Sequence, residues 1–270
     1  MPEPEQEQQV RCAVSVDNTK PIRRLDYALF ERLRAQFPKR TYWRSDGLAC
    51  AGGDLSAERL VAAYSLGLFP WYSENSPILW WSLEPRCILP LSSFHLAKRS
   101  LRTIRKQHFT LTWDQAFPRV IAACSQARSE ENGVWIFPEM RAAYTYLHKM
   151  GYAHSVETWQ DGQLVGGLYG VGLGRAFFGE SMFHLVSEAS RFALTGLVTL
   201  LRQLGVTLLD CQQESPHFMA MGAIMLNGSV FQDKLKEAGL GSGLLAESLE
   251  PWLKSYAFDA ASSSWRLKSK

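Results

Sequence analysis

The amino-acid sequence predicts an α+β fold built on a mixed sheet, and three observations carry that reading. Beyond residue 150, strand patterns alternate with turn signals: AHSVETW, a turn at Asp161-Gly162, QLVGGLYGV, a turn at Gly172–Gly174, then RAFFGESMF. A long helical pattern over 187–204 leads into a further strand, VTLLDCQ, so helix and strand alternate after the hairpins. The 270 residues, 46% hydrophobic and 20% charged, suffice for one large domain or two modest ones with a sizeable core.

Taken in order, residues 1 to 20 are polar and rich in Glu and Gln, the composition of a disordered tail. From Pro21 to Phe37, Leu25, Leu29, Phe30, Leu33 and Phe37 recur at helical spacing among Arg and Glu. Residues 41–90 are rich in Gly, Pro and Trp and hold one clear helix, from an N-cap at Ser56 through LVAAYSL to a stop at Gly67. The basic stretch HLAKRSLRTIRKQHF follows, then a helix near 114–126, a Gly/Trp loop at 131–137 and a helix at 138–150. The change from loop-rich to sheet-rich sequence near residue 130 suggests two lobes.

Several function classes are excluded or disfavoured. The five Cys (12, 50, 87, 124, 211) lie far apart with no CxxC or Cys/His spacing, which argues against a zinc site and a disulfide framework and for reduced thiols. The first residues, MPEPEQEQQV, hold no apolar signal core, and no run approaches the roughly 18 apolar residues of a membrane span. A cytoplasmic protein with no membrane contact is expected. The net charge of +3 permits a polyanionic partner without demanding one.

Five groups of residues could carry chemistry. In a strand LLDCQ, Asp210 and Gln212 share one face and Leu209 and Cys211 the other. Such a pair can present a fixed polar site, or Asp210 can simply cap the turn that follows. Glu180 sits among aromatic and Met residues in FFGESMF, where a carboxylate needs a partner or a ligand. The aromatic segments FPWYS and ILWWS fit either a pocket wall or core packing. Lys98, Arg99, Arg102, Arg105 and Lys106 place five cations within nine residues, and no acid lies between His95 and Thr112. That pattern suits phosphate contact, although a solvated helix face is the commoner fate of a charge run. The glycines of GGLYGVGLG are not a dinucleotide loop, because the continuation RAFFG reads as a strand and not a helix. They let a ligand or a neighbouring backbone approach closely.

Together GLACAGGDLSAERLVAAYSLGLFPW (47–71), ILWWSLEPR (78–86), GYAHSVETW (151–159), LVGGLYGVGLG with FFGESMF (164–183), and LLDCQ followed by His217 and MGA resemble the leucyl/phenylalanyl-tRNA–protein transferases. The similarity runs in order from about Phe37 to about residue 235. It implies a small N-terminal domain (37–130) after a variable extension (1–36), then an acetyltransferase-like (GNAT-like) domain (131–258) and a tail (259–270), with no cofactor and no metal. It also implies an enzyme that moves Leu or Phe, less readily Met, from aminoacyl-tRNA to acceptor proteins beginning with Arg or Lys, marking them for degradation by the N-end rule; a monomer is the default expectation. By motif position, Trp71, Leu168, Leu194, Leu197 and Leu201 would contact the aminoacyl side chain and Trp135 the terminal adenosine. Glu180, Asp210 and Gln212 would be catalytic, with Asp210 orienting Gln212, and the five cations would receive the acceptor stem.

The helix 187–204 supports this independently, since its apolar residues at 194, 197, 198 and 201 form one stripe able to line a pocket. Three positions depart from the family pattern: Val134 for Thr, Arg191 for Lys, and Leu226 within IMLNGS, where an Arg commonly follows the GA segment. An acyl-CoA acyltransferase would need an Arg/Gln- and Gly-rich pyrophosphate loop, which 165–190 lacks. A binding module that kept the scaffold without activity is the alternative from another class.

Overall fold

A computed structural model describes residues 25–131, 136–240, 256–259 and 264–267. Helix α1 (Tyr27–Gln36) begins where Asp26 accepts the Leu29 amide hydrogen at 2.9 Å, which satisfies one of the free N–H groups of the first turn. Helix α2 (Ala57–Ser65) buries all its residues but Glu58 and Arg59, and ends at Gly67, whose φ of +78° suits glycine. Strands β1 (Leu48–Ala51), β2 (Phe69–Pro70) and β3 (Leu79–Trp81) form a small antiparallel sheet in the order β1-β3-β2. A basic helix, α3 (Lys98–Lys106), follows β4 (Arg86–Ile88).

The remaining elements are β5 (Thr110–Trp113), α4 (Phe117–Glu131), α5 (Pro138–Lys149), β6 (Ala153–Gln160), β7 (Gln163–Leu173), β8 (Ala176–His184), α6 (Ala189–Gln203), β9 (Leu208–Gln212), α7 (Pro216–Met219), β10 (Ile224–Leu226), α8 (Gly228–Glu237), β11 (Tyr256–Asp259) and β12 (Ser264–Leu267). Among the described residues they build one sheet of nine strands, ordered β10-β4-β9-β8-β7-β6-β5-β11-β12. All its pairings are antiparallel except β8 with β9, where α6 makes the crossover. This is the α+β, mixed-sheet architecture that the sequence predicts. Strands β4 and β5 precede residue 131 in the chain yet are strands of the large sheet, so the sheet itself does not divide at that point.

Helix α6 covers one face of the sheet, where Leu194, Leu197, Val198 and Leu201 pack on Leu168, Phe177, Leu209 and Cys211. On the other face Tyr64 of α2, Phe117 and Ile121 of α4 and Tyr144 of α5 pack on Tyr169, Val171 and Phe178. The helix expected near 114–126 starts at Phe117 because Asp114 has a φ of +56°, outside the helical region. Among the described residues no helix is long and apolar enough to cross a membrane.

The glycines of β7 serve protein packing. A Cβ on Gly166 would collide with Ala189 at the start of α6, one on Gly167 with the Val156 carbonyl, and one on Gly170 with the Phe178 carbonyl and the Phe177 ring. Gly170→Ala is therefore expected to destabilise the fold by about 1–3 kcal/mol or more, as overpacking does in a rigid core. The midpoint of urea unfolding measures it; an unchanged midpoint would show that the sheet yields at this point.

Candidate active site

Strand β8 carries an extra residue. Tyr169 pairs with Ser181 and Gly170 with Gly179, so Glu180 bulges out of register between them. A bulge re-aims its side chain, and Glu180 turns towards Tyr64 and Tyr144. Its Oε1 accepts from the Tyr64 hydroxyl at 2.6 Å and the Gln212 amide at 2.7 Å, and its Oε2 accepts from the Tyr144 hydroxyl at 3.3 Å. Burial pushes the Glu180 carboxyl up to about 7 against the pull of these donors, and the nearby Asp210 adds to the rise. Burial first, then the adjacent Glu180, holds the Tyr64 hydroxyl well above its ordinary value, and the same causes act on Tyr144. Both phenols therefore remain donors.

Asp210 has a different environment. Arg86 grips it from the neighbouring strand, with Nε to Oδ1 at 2.9 Å and Nη2 to Oδ2 at 2.6 Å, and both side chains are fully buried. The guanidinium lies over the rings of Phe69 (5.0 Å) and Phe231 (4.6 Å). Asp210 Oδ1 also accepts the backbone N–H of Gln212 at 2.9 Å. Gln212 has a φ of +60°, a left-handed conformation costly for a side chain larger than glycine. Asp210 on the backbone and Glu180 on the amide fix it there. A carboxylate can only accept, so the Gln212 NH2 faces Glu180 and its carbonyl oxygen is left without a partner among the described residues.

Glu180 and Gln212, with Gln213, Glu214 and Ser215, are polar residues lining a cavity of about 870 Å³ between the small sheet and the large one. Trp71 and Trp81 wall one side, their rings 5.9 Å apart, while Leu168, Met182, Leu194 and Leu197 line the apolar part. The arrangement can seat an apolar side chain beside polar, amine-accepting groups.

Two family models match the chain, "Leucyl/phenylalanyl-tRNA protein transferase" over residues 88–236 and its N-terminal domain over residues 53–84. The chain belongs to the leucyl/phenylalanyl-tRNA–protein transferase family. It is 51% identical to the protein of that name from Desulfatibacillum aliphaticivorans, over 78% of this chain and 90% of the relative. It is 53% identical to that of Aromatoleum aromaticum, over 66% of this chain and 75% of the relative. An N-acetyltransferase region of a fungal beta-N-acetylglucosaminidase is similar at a TM-score of 0.37 and 15% identity, covering 69% of this chain and 24% of that one, a likeness too slight to argue from. As a member of this family the chain is an aminoacyltransferase.

Of the residues singled out in the sequence, Trp71, Leu168, Leu194, Leu197, Glu180 and Gln212 come together around this cavity. Two do not. Leu201 is fully buried in the core one turn beyond Leu197 on α6 and is not among the lining residues, because the stripe continues past the end of the cavity. Asp210 does not reach the cavity either; it lies behind Gln212, held by Arg86, and acts through the backbone instead of the amide side chain. Trp135 and Val134 lie outside the described residues.

The five cations of α3 are all exposed, and none has an acidic partner among the described residues. Arg191 joins this helix to the site: it pairs with Glu188 at 2.7 Å, reaches Ser100 of α3 at 3.4 Å and lies 3.5 Å from His217. Among the described residues no group of three or more His, Cys, Asp or Glu side chains could hold a metal ion. Sequence reasoning missed Arg86, Tyr64 and Tyr144. A signal existed for Tyr64, since a phenol inside the apolar run LVAAYSL must find a buried partner for its hydroxyl.

Removing one member of a buried ion pair strands the other. Arg86→Ala or Asp210→Ala should each cost about 3–5 kcal/mol, with the double variant losing less than the sum. Denaturant unfolding of the three variants measures this, and strict additivity would refute the coupling.

Proposed function

We propose that this transferase takes Leu or Phe, and less readily Met, from aminoacyl-tRNA and joins it to the N-terminal Arg or Lys of acceptor proteins, with degradation by the N-end rule as the consequence. The observation that carries the reading is one cavity lined both by Leu168, Leu194 and Leu197 and by the hydrogen-bonded pair Glu180 and Gln212. The aminoacyl side chain lies against Leu168, Leu194 and Leu197, with Trp71 over it. Because such a wall discriminates mainly by shape, at about 1–3 kcal/mol per methylene, a relaxed choice among Leu, Phe and Met follows.

The acceptor's α-amine attacks the ester carbonyl that links the amino acid to the terminal ribose. An α-amine titrates near about 7.7–8.0, so a useful fraction is neutral at physiological pH. The ester is already activated, and positioning supplies most of the acceleration. In this reading Glu180 and the carbonyl oxygen of Gln212 accept N–H bonds from the attacking amine, Asp210 and Arg86 hold Gln212 in place, and the departing ribose hydroxyl takes the proton. The unpaired cations of α3 contact phosphates of the acceptor stem. The protein works as a cytoplasmic monomer.

The direct test is incubation with Leu-tRNA or Phe-tRNA and peptides beginning with Arg, Lys, Asp or Glu. Transfer to the Arg and Lys peptides supports the reading, and binding without transfer to any of them refutes it.

Two further outcomes are expected. With Glu180 titrating at about 7, kcat/KM should fall as pH drops below that value, because the protonated carboxyl loses the negative charge that holds the amine and is left a weaker acceptor. Glu180→Gln should lower kcat/KM about a hundredfold and remove the enzyme's share of that pH dependence, leaving only the titration of the peptide amine. A variant that kept the wild-type profile would exclude Glu180. Separately, Arg102→Ala should raise KM for aminoacyl-tRNA with kcat unchanged, and flatten the plot of log affinity against log salt by about one ion. Equal salt slopes in the two proteins would take α3 out of the tRNA contact.

A further inference from the structure

Two of the five cysteines, 124 residues apart by number, meet in the fold. Cys87 lies on β4 and Cys211 on β9, which run antiparallel side by side. Ile88 pairs with Asp210 and Cys87 with Gln212, so Cys211 is an extra residue in the register, next to the partner of Cys87. Across such a bulge Cys211 and Gln212 together oppose the single Cys87, and opposed residues on antiparallel strands have Cα atoms about 4.5–5.5 Å apart, within the range of about 4.4–6.8 Å that a disulfide spans. Both side chains enter the same apolar cluster under α6, with Leu168, Leu194 and Leu209. The neighbouring Cys211 draws the Cys87 thiol below its ordinary value, while Cys87 and burial push Cys211 well up. Cys87 is completely buried, whereas Cys211 forms part of the cavity wall, where a small oxidant can arrive. Cys124 sits in the cluster on the opposite sheet face and Cys50 on the small sheet, so neither competes for this pair.

We infer that Cys87 and Cys211 are an oxidisable pair, which a peroxide converts to an intramolecular disulfide in the wall of the cavity. One sulfur, as thiolate, attacks the peroxide O–O bond and becomes a sulfenic acid as hydroxide leaves and takes up the released proton. The other sulfur then attacks the sulfenic sulfur, the S–S bond forms and water departs. In sum, two thiols and one hydrogen peroxide give one disulfide and two waters. Closing the sulfurs to about 2.05 Å draws the end of β9 towards β4. Cys211 adjoins Gln212, and Cys87 adjoins Arg86, so the closure disturbs the residues that hold the Gln212 amide against Glu180. The loss of transfer activity that results rests on the function proposed for this cavity; the chemistry of the pair does not.

The experiment treats the full-length protein with equimolar hydrogen peroxide, alkylates the remaining thiols under denaturing conditions and maps peptides by mass. The expected result is a linked pair of peptides containing Cys87 and Cys211, two hydrogens lighter than their thiol forms, which dithiothreitol separates. Transfer activity should fall at least tenfold on oxidation and return on reduction, while Cys87→Ser keeps its untreated activity and resists peroxide. Recovery of both cysteines alkylated, or oxidised singly without a link, would overturn the inference, and so would a linked protein that transfers at the untreated rate. The mass result on wild-type protein depends on no variant. If the linked pair forms in a protein that never transferred an aminoacyl group, the thiol chemistry stands and the proposed function fails.

Discussion

Arg86 and Asp210 are the charges around which the site is assembled. Removing two ions from water costs several kcal/mol each, and the attraction between them repays that only with excellent geometry and every lone pair used. Here the geometry is bidentate, the carboxylate has a third donor in the Gln212 backbone N–H, and the guanidinium, whose Nη1 has no hydrogen-bond partner among the described residues, lies over two aromatic rings. Those rings come from distant parts of the chain: Phe69 from the small sheet, beside the segment that supplies Trp71, and Phe231 from α8. One ion pair therefore holds together the small sheet, helix α8 and the end of β9. Without it, little would offset the cost of about 1–2 kcal/mol for Gln212 in its left-handed conformation.

The two buried acids beside each other divide their tasks by the partners they have. Asp210 has a full counter-ion within hydrogen-bond distance on both oxygens, so its charge is satisfied inside the protein. Glu180 has only neutral donors, two phenols and an amide, and remains an acid near neutrality. A carboxyl in that state gains from any cation or amine that enters the cavity. That asymmetry separates a structural acid from one able to meet a substrate, and residue type alone does not reveal it.

What was legible in the sequence was local or periodic. The β6–β7–β8 meander, the stripe on α6 and the alternation in LLDCQ follow from spacings of two and 3.6 residues, and Leu168, Leu194, Leu197 and Gln212 all line the cavity. The stripe could not show where the cavity ends, so Leu201 was grouped with residues it only packs behind. The alternation likewise set Asp210 beside Gln212 without disclosing that Arg86, on a three-residue strand, would enclose it. Short strands such as β4 and β10 have too few residues for a period to emerge, and their pairing is decided by partners far along the chain. The bulge at Glu180 and the meeting of Cys87 with Cys211 are facts of register, which only the assembled sheet defines.

The separation of the basic helix from the reacting end has an energetic logic on the proposed reading. Phosphate contacts on α3 add affinity without touching the bond that changes, and affinity shared equally by substrate and transition state does not speed the chemical step. They become useful when the binding they provide is converted to position at the ester. The chain has a route for this: Ser100 of α3 contacts Arg191 of α6, and α6 carries Leu194 and Leu197 along the cavity wall. An acceptor stem seated on α3 thus bears on the helix that lines the aminoacyl pocket. The ester needs no further activation, so a rigid path from the phosphate contacts to the pocket wall can supply the positioning on which the reaction depends.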